Sequence, residues 1–145
     1  MNKVNIIINS NSLYKYESDS IIGEIYFQIG DFVFPEVKWT DFVVVILTWW
    51  NKEFMYLKNA SIQSSYELDF MDGPFMVKVT KKSLELVELE FLRETVNKKI
   101  SLYRIECSLD EISKTLLRAT NSLIKQIKIN NWNTEDVQEL EKWKK

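Results

Sequence analysis

Apolar residues recur at every second position in several segments, which is the pattern of β-strands with one buried face. In one of these segments Ile25, Phe27 and Ile29 share one parity, and the turn signal Gly30-Asp31 follows them. The pattern predicts three strands in the first part of the chain, at residues 4–8, 21–29 and 32–34.

The same period of two returns after residue 59. Tyr66, Leu68 and Phe70 alternate with acidic residues, and Asp72-Gly73 is a turn signal before the next alternating segment. This arrangement is typical of a hairpin, and two further alternating segments follow it. The sequence therefore predicts four antiparallel strands between residues 66 and 107, at 66–70, 75–79, 84–92 and 99–107.

Between these groups the apolar residues follow a helical period. Thr40 is a candidate N-cap, and Asp41 in a first turn would suit the positive end of a helix. Three consecutive valines favour a strand, but the pattern extends further than a strand usually does. We predict a mostly buried helix over residues 41–57, with an apolar face formed by Phe42, Val45, Ile46, Trp49, Trp50, Phe54 and Leu57.

The C-terminal part predicts two more helices. Ser108 and Glu111 have the spacing of a capping box, in which each side chain caps the other residue's backbone N–H. The apolar stripe that follows ends at residues 130–131, and Asn133 or Thr134 caps a short last helix. The predicted fold class is α+β: an antiparallel sheet with helices packed mainly on one face, in a single domain over residues 1–145.

Composition limits the kind of partner. The formal net charge is −2, whereas nucleic-acid binding usually needs a basic excess, so we expect no direct nucleic-acid contact. The longest unbroken apolar run, residues 42–47, is far shorter than the roughly 20 residues of a membrane helix. With no signal-peptide pattern at the start and a single cysteine, the sequence predicts a cytoplasmic protein that does not contact a membrane.

Catalytic chemistry has few candidate residues. The sequence has no histidine, which excludes Ser-His-Asp and Cys-His catalysis, and three glycines leave no phosphate-binding loop. One cysteine cannot form a structural zinc site, so Cys107 is predicted to be a small buried apolar residue. We therefore expect no cofactor and no enzymatic activity.

Two alternatives to a binding role remain open. Asp69 and Asp72 flank the tip of the predicted hairpin, with Glu67 nearby, and paired carboxylates can act in hydrolysis or hold a divalent cation. Solvent exposure beside a turn is the simpler explanation of these residues. The second alternative is a small-ligand module in which Trp49 or Trp50 lines an apolar pocket.

Three short segments are similar to a known class of proteins. Trp39-Thr40-Asp41, the pair Trp49-Trp50 and the segment FMDGPF resemble small cytosolic immunity-type proteins of bacterial polymorphic toxin systems, over residues 35 to 80. The resemblance implies a protein that neutralises a cognate toxin by binding it, and it brings no catalytic residues.

A partner surface is predicted from exposed groups near the helix start and the hairpin tip. Acidic side chains would attract a basic toxin, and a tryptophan would supply an anchor that loses its water on binding. The predicted partner-binding residues are Asp31, Trp39, Asp41, Asp69 and Asp72.

Overall fold

The computed structural model describes residues 3–144, which contain eight strands and three helices. The strands are β1 (Val4–Lys15), β2 (Ile21–Ile29), β3 (Phe32–Phe34), β4 (Thr40–Asp41), β5 (Ser65–Asp69), β6 (Phe75–Lys81), β7 (Leu86–Glu94) and β8 (Lys99–Ser108). The helices are α1 (Val43–Lys58), α2 (Leu109–Ile129) and α3 (Glu135–Glu141). The predicted α+β class is confirmed.

The strands form two antiparallel sheets of four strands each. In the first sheet, β2 pairs with β1 along one edge and with β3 and β4 along the other. The second sheet is a meander in the order β5-β6-β7-β8. Helix α1 follows the first sheet in the chain and contacts both β2 and β5, while α2 packs against β1. The sequence predicted one sheet, whereas the structure has two, and α1 connects them in the chain.

Strand β1 is longer than predicted. The polar residues after Ile8 do not end it, because they make the hydrogen bonds of an irregular region in which the register with β2 shifts between Asn9 and Tyr14. The hydroxyl of Ser12 accepts from the N–H of Glu24 at 2.8 Å and donates to the carbonyl of Asn9 at 2.6 Å. Polar side chains at such a bulge replace missing ladder bonds, so they continue the strand.

Helix α1 begins two residues later than predicted. Thr40 and Asp41 pair with Glu24 and Gly23 as strand β4, so neither belongs to the helix. The N-cap residue is Phe42, which makes no side-chain capping bond, and the first turn contains no acidic residue. The predictions of a Thr40 cap and of Asp41 in the first turn are therefore wrong, because pairing with a distant strand replaces local capping.

The buried face of α1 differs from the predicted face by a small rotation. Trp50 is fully buried, whereas Trp49 is 39% exposed. Phe42 and Val45 are only partly buried, and their neighbours Val43 and Val44 take the interior positions. The buried residues are Val43, Val44, Ile46, Leu47, Trp50, Phe54 and Leu57. The prediction that Trp49 belongs to the core is wrong.

Only half of the predicted capping box forms at the start of α2. The Ser108 hydroxyl accepts from the N–H of Glu111 at 3.0 Å, as predicted. The Glu111 carboxylate instead accepts from the N–H of Val4 at 2.7 Å, and the hydroxyl of Thr115 accepts from the N–H of Ile6 at 3.0 Å. Helix α2 thus supplies acceptors to the outer edge of β1, an edge that would otherwise be unpaired.

The short helix α3 begins as predicted. The Thr134 hydroxyl accepts from the N–H of Val137 at 3.2 Å, which identifies Thr134 rather than Asn133 as the N-cap. Val137 and Leu140 are buried and Trp143 is partly exposed, so the narrow apolar edge is also confirmed.

Aromatic rings occupy the centre of the core. The ring of Phe27 lies 5.3 Å from that of Trp50 and 5.5 Å from that of Phe91. Phe70 packs edge-on against Trp50 at 5.2 Å, and Phe34 packs against Phe91 at 5.1 Å. The last three of these four pairs are edge-to-face, and such pairs stabilise a core beyond their buried area. Much of the aromatic surplus of the sequence is therefore structural.

Candidate functional site

Asp41 is buried, not exposed as predicted, with only 2% of its surface accessible. Its Oδ1 accepts from the N–H of Phe42 at 2.7 Å, and its Oδ2 accepts from Trp39 Nε1 at 3.0 Å and from the N–H of Asp72 at 3.1 Å. A buried carboxylate needs such donors, because removing a charge from water is costly. Asp41 therefore joins β4 to the turn between β5 and β6.

Trp39 packs against that same turn. It is partly buried, with its ring centroid 5.4 Å from that of Phe75 and 6.2 Å from that of Phe70, so it is less exposed than the predicted anchor. The backbone of Gly73 has φ +80°, and a Cβ atom there would lie 2.9 Å from the indole. Only glycine combines this conformation with so close an approach. Trp39 and Asp41 both hold the turn in place.

Asp31 and Asp72 are exposed in turns, as predicted. Asp31 lies between β2 and β3, and Asp72 lies between β5 and β6. Neither side chain lines the hollows around Asp69 that are described next. The structure therefore does not gather the five predicted residues into one surface, and Asp69 alone of them faces a concave region.

A cleft of about 390 Å³ lies beside Asp69, where the outer face of the second sheet meets α1. We call it the acidic cleft. Its walls combine carboxylates and one lysine with apolar side chains and the turn before β6. The lining residues are Trp49, Glu67, Asp69, Phe70, Met71, Gly73, Pro74, Phe75, Met76, Glu94 and Lys99.

A second, shallower hollow adjoins the acidic cleft and shares Glu67 and Asp69 with it. It has a volume of about 460 Å³ and adds Glu53 from α1 and Lys78 from β6. Because two carboxylates line both hollows, the two hollows form one continuous concave surface. Helix α1 contributes Trp49 to one part of this surface and Glu53 to the other.

Exposed apolar side chains lie among these charges. Trp49 is 39% exposed and Met71 is 40% exposed, and both line the acidic cleft. Tryptophan and methionine are enriched where proteins bind other proteins, because they bury a large area or adapt to an irregular surface. The acidic cleft therefore combines exposed apolar side chains with charged ones.

The carboxylates affect one another's protonation. The walls of the cleft partly desolvate Asp69 and so raise its pKa, and the charge of Glu67 raises it further while Lys99 lowers it. Burial also raises the pKa of Glu53, and Asp69 adds to that shift. Mutual repulsion of this kind favours a cation between the carboxylates.

Lys99 supplies such a cation. Its Nζ lies 2.6 Å from Oε2 of Glu67, although Lys99 begins β8 and Glu67 belongs to β5. The hydrogen bond to Glu67 is the main reason that the pKa of Lys99 is raised, and the charges of Glu94 and Asp69 add to it. The lysine side chain thus spans the outer face of the sheet.

The outer face of the second sheet is acidic beyond the cleft. Glu67, Lys78, Glu90 and Arg104 form one row across its four strands, and Arg104 pairs with Glu90 at 2.8 Å. The outer face of the four strands has six carboxylates against three cations, an excess of three negative charges, whereas the whole chain has a net charge of −2. The carboxylates are Glu67, Asp69, Glu88, Glu90, Glu94 and Glu106, and the cations are Lys78, Lys99 and Arg104.

The other predicted chemistry finds little geometric support. Within residues 3–144, no three acidic or cysteine side chains are grouped as metal ligands. Of the three carboxylates of the hydrolytic alternative, Glu67 and Asp69 line the acidic cleft and Asp72 does not. Of the two tryptophans of the small-ligand alternative, Trp50 is packed on all sides and Trp49 lines the acidic cleft. Cys107 is buried, as predicted, and burial raises the pKa of its thiol to about 12.

As parts of a partner surface, sequence reasoning missed Trp49, Glu53, Glu94 and Lys99, and it named Trp49 only as a possible wall of a small-ligand pocket. A signal existed for two of them: Trp49 and Glu53 are four residues apart, so a helix places them on the same face. This spacing was not recognised as a signal because the prediction placed Trp49 in the core. The sequence contains no comparable signal for Lys99, whose contact with Glu67 joins two strands that are not neighbours in the sheet.

Compared with family models, curated proteins and solved structures, the chain has no match in any of the three. Among the helices of residues 3–144, none is both long and apolar enough to cross a membrane.

Proposed function

We propose that this chain is a non-enzymatic protein-binding protein, an immunity-type inhibitor that neutralises a cognate bacterial toxin by direct binding through the acidic cleft. The observation that carries the proposal is the combination of Glu67, Asp69 and Glu94 with the exposed side chains of Trp49 and Met71 in one concave surface.

Each part of this surface has a role in the proposed complex. The negative excess of the outer sheet face attracts a basic partner and raises the rate of association. The indole of Trp49 then loses water against the partner and contributes to the lifetime of the complex. Trp49 replaces Trp39 as the anchor of the proposed surface, because Trp39 and Asp41 are occupied in holding the neighbouring turn.

The test is co-purification with the protein encoded beside the gene, followed by calorimetric titration. We expect a stable one-to-one complex with the unaltered chain. The double variant Glu67→Gln, Asp69→Asn should weaken it by about tenfold or more, because it removes two charges from the centre of the surface. The matched control is Glu17→Gln, Glu36→Gln, which removes two exposed charges that do not line the cleft and should change the affinity by less than about twofold.

Two results would contradict the proposal. If the neighbouring gene product and pull-downs from the source cell give no complex, the inhibitor role is wrong. If a complex forms but both double variants weaken it equally, binding occurs and the acidic cleft is not its site.

A further inference from the structure

The position of Lys99 is unusual for a surface lysine. In the β5-β6-β7-β8 sheet two strands separate it from Glu67, yet the two side chains make a contact of 2.6 Å. Glu94 is the residue directly opposite Lys99 on the neighbouring strand β7 and would be a nearer partner. The lysine therefore extends into the acidic cleft and places its ammonium among the carboxylates that line it.

This contact contributes little to the stability of the fold. The Lys99 and Glu67 side chains are 41% and 38% exposed, and ion pairs as exposed as this one have small effects on folding. The groups that surround the Lys99 ammonium are more numerous than a stabilising ion pair needs. Glu67 binds the ammonium, Asp69 and Glu94 add negative charge, and the exposed indole of Trp49 lines the same cleft. Carboxylates around an ammonium make charge-assisted hydrogen bonds with it, and proteins bind ammonium groups in this way.

We propose that the Lys99 ammonium fills a position beside Glu67 in the unbound protein, and that a lysine side chain of the basic partner takes this position in the complex. This inference rests on the proposed function and adds to it the chemical group that the cleft recognises. On binding, one ammonium replaces another at Glu67, so the charge of the cleft is unchanged. The released Lys99 then extends into solvent.

The test uses hexalysine as the probe and calorimetric titration at low salt. Lys99→Met empties the position without adding a polar group, and we expect it to bind hexalysine about threefold more tightly than the unaltered chain, since an exposed competing pair is lost. The matched control is Lys78→Met, which removes the same charge from the same sheet face but leaves Lys99 on Glu67. We expect Lys78→Met to increase the affinity for hexalysine clearly less than Lys99→Met does. Lys99→Gln serves as a second variant should the methionine variant fold poorly.

A direct readout follows Lys99 itself. In the unaltered chain, saturation with hexalysine should move the side-chain nitrogen resonance of Lys99 towards that of a solvent-exposed lysine, while the resonance of Lys78 changes less. Equal gains in affinity for the Lys99 and Lys78 variants, an unmoved Lys99 resonance at saturation, or no binding of hexalysine by any variant would overturn the inference. These measurements need no natural partner, so a failed search for the toxin would reject the proposed function alone.

Discussion

Trp49 and Trp50 follow each other in α1 but face two different regions of the protein. Trp50 is fully buried and packs against Phe27 and Phe70 at the centre of the core. Trp49 is 39% exposed and forms one wall of the acidic cleft. Successive side chains on an α-helix point about 100° apart, so neighbours in sequence can belong to separate regions. Tryptophan thus stabilises the core at position 50 and forms part of a surface at position 49.

The two regions meet at Asp69. Its backbone carbonyl accepts from the indole N–H of Trp50 at 2.8 Å, while its carboxylate lines the acidic cleft. The buried tryptophan therefore fixes the position of a residue whose side chain is available for binding. The comparison teaches that the core determines the geometry of the cleft, although the two regions make different contributions to stability.

The largest expected effect separates the two tryptophans. Trp50→Ala should lower the free energy of unfolding by about 3–5 kcal/mol, because it leaves a large cavity in the aromatic core and removes a hydrogen bond. Trp49→Ala should lower it clearly less, by about 1–2 kcal/mol, since 39% of the Trp49 surface is already exposed to water in the folded protein. Urea unfolding followed by circular dichroism measures both values. Similar losses for the two variants would show that the two regions do not differ in stability as described.

A smaller effect is expected where the turn beside the cleft is held in place. Asp41→Ala leaves the donors of Phe42, Trp39 and Asp72 without their acceptor, and we expect it to cost about 2–3 kcal/mol in urea unfolding. Asp72→Ala removes an exposed carboxylate from the same turn and should change stability by less than about 0.5 kcal/mol. If Asp41→Ala proves as mild as Asp72→Ala, the buried carboxylate does not connect β4 to the turn.

The smallest effect is a dependence on pH at Asp69. Desolvation by the cleft raises its pKa in the folded protein, so its stabilising contribution is present below the unfolded pKa and is lost as the pH rises through the higher folded value. Asp69→Asn has no charge to desolvate. Its midpoint of thermal unfolding should exceed that of the unaltered chain at pH 7, and the difference should disappear below about pH 4, near the ordinary pKa of aspartate.

The control for this measurement is Asp31→Asn, which makes the same substitution in a turn outside the cleft. It should show a smaller difference at pH 7 than Asp69→Asn does. A lower midpoint for Asp69→Asn at pH 7 would mean that the carboxylate stabilises the cleft, contrary to the cause given for its raised pKa.

Local patterns predicted most of the fold. The bounds of β2 and β3 agree with the structure, and the strands of the second sheet agree within two residues at nearly every end, because alternation and turn residues determine them locally. The start of α1 was not predictable in this way. Thr40 and Asp41 have the chemistry of a helix start, but their pairing with β2 decides their conformation.

The candidate site was less predictable than the fold for the same reason. Asp69 was identified because it lies beside a turn signal, whereas Lys99 and Glu67 are 32 residues apart and meet only through the order of the strands. The prediction that Asp41 is exposed was wrong, because the sequence does not show whether N–H groups will surround a given carboxylate. Side-chain contacts between distant elements decide both cases.

The hydrogen bond between Glu111 and Val4 has a consequence for synthesis of the chain. It joins residues 107 positions apart, and the bond between Thr115 and Ile6 spans 109 positions. The ladder of the second sheet, in contrast, is built between strands that follow one another directly, from residue 65 to residue 108. A ribosome that has completed this meander has not yet made α2, so β1 is synthesised long before the helix that supplies acceptors to its outer edge.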